Sequence, residues 1–200
     1  MNCSCNNQDS SFNACSSSGQ PLEKRVSQIC GCDLPIMIRG ECPVEKIENM
    51  LGVRENIWTQ IFVPEVLLIP IQKPDIEQLH SVSAALEIIA QRVVKTPVLV
   101  IQDEEIPIEN EEDLITTGRK LVVEGILRQK IVYTADNPEQ SVHSAHFDVP
   151  FSAFMILPAG TPLYTRYKIE SCIEDIYISS CTDRQVFKNV TLFIKATALS

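Results

Sequence analysis

Three long stretches of this sequence alternate apolar and polar side chains with a period of two. That pattern restricts much of the chain to antiparallel strands with one buried face. In 119–135, Leu121, Val123, Leu127, Ile131 and Tyr133 share one parity, and Lys120, Glu124, Arg128 and Lys130 the other. In 141–157, Ala145, Phe147, Val149, Phe151, Ala153, Met155 and Leu157 lie opposite Ser144, His146, Asp148 and Ser152. In 185–198, Val186, Val190, Leu192, Ile194, Ala196 and Ala198 repeat the pattern. A slip of one residue would turn each apolar set into water, so register is strongly specified.

The rest of the chain fits around these strands. The run 61–70 is β-rich and bounded by prolines, and 98–102 reads as a short strand. Val82, Ala84, Leu86, Ile88 and Ala90 alternate, which favours a strand over the helix that Ala-Ala-Leu-Glu-Ile-Ile also permits. The segment 73–78, with Pro74 near its start, reads as a turn or a single helical turn, and 164–180 as a further strand with Ile169 and Ile173 in phase. Val44, Ile47 and Leu51 have helical spacing, and Gly52 is placed to end a short helix. The expected fold is an all-β, antiparallel, sandwich-like domain over 43–200 with one short helical segment.

Residues 1–42 differ in character. The first 20 are rich in Asn and Ser, with Phe12 the one large apolar side chain, and cannot offset the entropy of ordering. Six of the eight cysteines fall here: Cys3, Cys5, Cys15, Cys30, Cys32 and Cys42. This region is read as a flexible, cysteine-rich arm and connector. Neither Cys3-x-Cys5 nor Cys30-x-Cys32 has the C-x-x-C spacing of zinc ribbons or thioredoxin-like sites. A disulfide within C-x-C closes a small strained ring, so each thiol is expected to seek a partner elsewhere. In extended chain the two thiols of a C-x-C point the same way and present a double thiol to one neighbouring surface. Metal binding by these clustered thiolates is the alternative chemistry. Cys172 and Cys181, at ~3.3 Å per residue along one strand, lie too far apart to pair with each other. Cys172 reads as a small core residue, and Cys181 as an exposed turn residue able to accept an arm cysteine from another subunit.

Other chemistry has little to work with. The net charge of −9 repels phosphate backbones and argues against nucleic acid as a partner. The densest apolar run, 63–71, is interrupted by Pro64, Glu65 and Pro70 and is too short to span a bilayer. No signal peptide is legible, so synthesis in a reducing cytosol is expected. His143 and His146 have the spacing H-x-x-H, but an odd separation on a strand sends them to opposite faces. The acidic run 103–113 lacks the alternating ligands and central glycine of a calcium loop and reads as a solvated loop. No phosphate-cradling glycine loop or nucleophile motif is present, so no enzymatic activity, catalytic residue, cofactor or metal is expected.

Several blocks, in order, resemble the SPOCS domain. They are Lys73-Pro-Asp-Ile-Glu-Gln78, Arg92-Val-Val-Lys-Thr-Pro97, Thr117-Gly-Arg-Lys-Leu-Val-Val-Glu-Gly125 and Gln129-Lys-Ile-Val-Tyr133. The run from Gln140 to Phe151 follows, then Ile173-Glu-Asp-Ile-Tyr177 and Phe187-Lys-Asn-Val-Thr-Leu-Phe193. The similarity extends over about residues 53–198. The resemblance implies a β-rich, non-catalytic module of spore coat or exosporium assembly in clostridia and their relatives. One member joins SPOCS repeats to a peptidoglycan-binding LysM module, which this chain lacks. The resulting expectation is a structural spore-surface protein made in the mother cell. It assembles with copies of itself, and with other coat proteins, through disulfides from the arm. Competing expectations are an adapter that docks a spore-morphogenesis partner and a cysteine-rich metal-binding module.

Overall fold

The computed structural model describes residues 36–52, 57–109 and 115–199. In chain order the elements are β1 (Met37–Arg39), α1 (Val44–Leu51), β2 (Ile57–Leu68), β3 (Ile76–Lys95), β4 (Leu99–Ile101) and β5 (Glu104–Ile106). They continue with β6 (Ile108–Glu109), β7 (Ile115–Thr116), β8 (Arg119–Ala135), β9 (Val142–Ile156), β10 (Tyr167–Cys181) and β11 (Gln185–Ala198). One sheet has the order β1-β3-β8-β9 and a second the order β10-β11-β2. Every pairing in them is antiparallel except β1 with β3. The fold is all-β, as the alternation requires.

The inward parities of the two sheets meet in one core. Val82, Leu127, Ile131, Tyr133 and Ala145 of the first sheet pack with Val63, Leu67, Ile176, Ile178, Val190 and Leu192 of the second. Toward the other end Leu121, Val123, Met155, Tyr167 and Ile194 continue the filling. Burying a side chain of this size contributes about 1.5–3 kcal/mol. Gly125 shares the inward parity and leaves no room for a side chain, since a Cβ there would stand 2.5 Å from the Phe151 ring opposite it.

Several local expectations are corrected. In β3 a bulge between Ile88 and Ala90 adds a residue and reverses the phase. Ala90 is therefore exposed and Val93 buried instead. The segment 73–78 splits: the Lys73 N–H closes a turn onto the Pro70 carbonyl at 2.8 Å, and Ile76 already opens β3. In α1 the buried side is Ile47 and Met50, while Val44 and Leu51 face outward. Part of the acidic run folds: β4 and β5 pair through Gln102 and Asp103, both at positive φ as a tight mirror-image turn demands. Glu105 then meets Arg119 at 3.3 Å and Lys95 at 3.5 Å. Residues 110–113 of that run lie outside the described residues.

The two outer faces contrast. That of the first sheet carries charge pairs, Arg128 with Glu87 at 2.7 Å and Arg92 with Glu124 at 3.0 Å. That of the second is apolar along β2, with Phe62 70%, Leu68 58% and Val66 53% exposed, and Val66 lies in register with the exposed Phe187.

Candidate functional site

The arm joins the sandwich through a short strap. Met37–Arg39, which the sequence assigns to the connector, adds a parallel strand to β3 at Ser81–Ser83. Gly40 follows at φ +113°, where a Cβ would fall 1.9 Å from the Ala84 carbonyl oxygen, so only glycine lets the chain pass. The strap then crosses to the second sheet. The Ile176 N–H donates to Glu41 Oε1 at 3.0 Å, and the Cys42 N–H donates to the Ile173 carbonyl at 2.8 Å. One short segment thus binds the edges of both sheets.

That crossing decides the chemistry of Cys42. The backbone bond to Ile173 sets Cys42 beside Cys172, their Cα atoms 5.7 Å apart, and the two form a disulfide. The sequence grouped Cys42 with the intersubunit candidates; the structure pairs it within the chain instead. Cys172 is buried with Met50 and Phe193 under α1, so it is both a core residue and the anchor of the strap. Cys181 is not in an exposed turn. It closes β10 opposite Val186, is half-buried, and packs against the main core. Cys3, Cys5, Cys15, Cys30 and Cys32, with the rest of the arm to residue 35, lie outside the described residues.

The two histidines separate as their spacing requires. His143 stacks on Tyr133 with ring centroids 5.9 Å apart and contacts Ser141 Oγ at 3.0 Å. His146 is exposed on the opposite face, in register with Lys130. The two cannot share an ion in this geometry.

One cluster was missed. Glu65 of β2, Gln129 of β8 and Lys188 of β11 all point between the sheets. Their exposures are 7% for the Glu65 side chain, 3% for Gln129 and 0% for Lys188. Lys188 Nζ stands 3.0 Å from Glu65 Oε2, an ion-pair contact that does not meet the angles of a hydrogen bond. Gln129 Nε2 donates to the same oxygen at 2.5 Å. Burial pushes the Lys188 ammonium below the ordinary lysine range, and the nearby Glu65 carboxylate offsets this only in part. The signal was present in the sequence. Each residue occupies the inward parity of its strand between apolar neighbours two positions away: Glu65 between Val63 and Leu67, Gln129 between Leu127 and Ile131, and Lys188 between Val186 and Val190.

Strap, disulfide and closed sandwich together define a β-structural module stapled at the root of a cysteine-rich arm. The family model described as SipL, SPOCS domain, matches residues 75–180, from the start of β3 to the end of β10. The chain belongs to the SPOCS-domain family. The family gives it a sporulation-related role and is not known as enzymatic. No curated protein and no solved structure matches it. No helix among the described residues is long and apolar enough to cross a membrane.

Proposed function

We propose that this chain is a structural, self-assembling subunit of the spore surface, in which arm cysteines form disulfides between neighbouring copies. The observation that carries the reading is the junction at Cys42. A sandwich of the SPOCS family holds the strap by a disulfide, and five further cysteines lie N-terminal to that anchor. A tether fixed at its root transmits load from a link in the arm directly to both sheets. The half-buried position of Cys181 makes Cys3, Cys5, Cys15, Cys30 and Cys32 the linking groups in this proposal. The apolar outer face of the second sheet supports association between copies, since large exposed apolar patches mark interaction surfaces. Links would form once the layer meets an oxidising exterior, after synthesis in a reducing mother cell.

Electron microscopy of the purified full chain after oxidation tests the assembly step. Sheets or filaments built from this one protein are expected. Particles that stay monomeric until another coat protein is added would replace this reading with the adapter.

A further inference from the structure

The buried cluster of Glu65, Gln129 and Lys188 holds the three groups needed to make an amide bond between side chains. Lysine is an amine nucleophile once deprotonated, Gln129 offers a carboxamide carbon, and Glu65 offers a carboxylate to move the proton. Their arrangement matches those roles. A single oxygen, Glu65 Oε2, touches both the attacking nitrogen, Lys188 Nζ at 3.0 Å, and the departing one, Gln129 Nε2 at 2.5 Å. Among the described residues, none donates a hydrogen bond to Gln129 Oε1 or to the second carboxylate oxygen, Glu65 Oε1. The Glu65 side chain is 7% exposed, Gln129 3% and Lys188 0%, so the site holds off the water that would solvate the ammonium or hydrolyse a product. Reacting groups held this way gain the rate advantage of an intramolecular encounter.

We propose that Lys188 and Gln129 join in an intramolecular isopeptide bond, with Glu65 as the proton carrier. Glu65 takes a proton from the Lys188 ammonium. The neutral Nζ adds to Gln129 Cδ, forming the new C–N bond. Glu65 passes that proton to Nε2 and takes the second proton from Nζ, and the old C–N bond breaks, releasing ammonia and leaving an amide N–H with a protonated Glu65. No electron changes hands and no co-reactant is consumed. Burial favours the first transfer, since it replaces two charges by a neutral pair.

Placement gives the bond a purpose. Gln129 lies on β8, an inner strand of the first sheet, and Lys188 on β11, the middle strand of the second. An amide between them fastens the two layers through the core. Unlike the Cys42–Cys172 link, it would survive reductant. The inference is independent of assembly, because it concerns a bond within one copy.

Intact mass spectrometry of the full chain, unfolded and fully reduced, tests this. The wild-type chain is expected to weigh less than its sequence by one molecule of ammonia. Lys188→Arg and Glu65→Gln should both keep their full sequence masses. Digestion should yield a branched peptide joining the segments around Gln129 and Lys188. The wild-type result alone decides if either variant fails to fold. A full sequence mass overturns the proposal. So does loss of a water in place of ammonia, or an ammonia loss that persists in Lys188→Arg.

Discussion

Removing the strap disulfide, by Cys42→Ala with Cys172→Ala, is expected to cost the folded chain about 5 kcal/mol. The bond spans 130 residues, so in the unfolded chain it closes most of the molecule into one loop. Opening that loop returns the entropy to the unfolded state. For a chain of this size the loss corresponds to a drop in melting temperature of about 10–20 °C. The measurement belongs in a background with Cys3, Cys5, Cys15, Cys30 and Cys32 replaced by serine. There, reductant should lower the melting temperature of the remaining protein to that of the double variant, and should leave the double variant unchanged. Insensitivity of the starting protein to reductant would show that the strap is not held this way.

The second large effect is at Glu65. In a Gln129→Met background, where Lys188 keeps its amine, Glu65→Leu strands the Lys188 ammonium between the sheets with no carboxylate beside it, and should destabilise that background by about 3–5 kcal/mol. Adding Lys188→Met removes the orphaned charge and should recover most of that loss, because apolar pairs of similar volume replace buried ion pairs well. Urea unfolding at neutral pH measures both. A Glu65→Leu change within about 1 kcal/mol of the Gln129→Met background, or no recovery on adding Lys188→Met, would mean the two side chains are not coupled in the core.

Long alternations were legible because burial on one face writes itself into every second residue. The ends of β8 and β11 could be placed to the residue and those of β9 to within one, and Gly52 marked the end of α1. Where the phase breaks inside a strand, as at the Ile88–Ala90 bulge, the sequence carries no local mark of it. β1 is three residues long, too short for any periodicity, and its pairing depends on β3 being present. The partner of Cys42 lies 130 residues away and is fixed by a backbone hydrogen bond across two edges, which spacing cannot reveal. The polar cluster differs from these. Glu65, Gln129 and Lys188 each interrupt an inward row, and reading the parity strictly would have placed all three in the core.

The central claim is that the arm links one copy to the next. Its most direct test is electrophoresis of assembled material from spores, with and without reductant, followed by mapping of the linked peptides. High-order species that collapse to a single chain on reduction are expected, with Cys3, Cys5, Cys15, Cys30 or Cys32 joined to cysteines of other copies. Free monomers in the absence of reductant would contradict it.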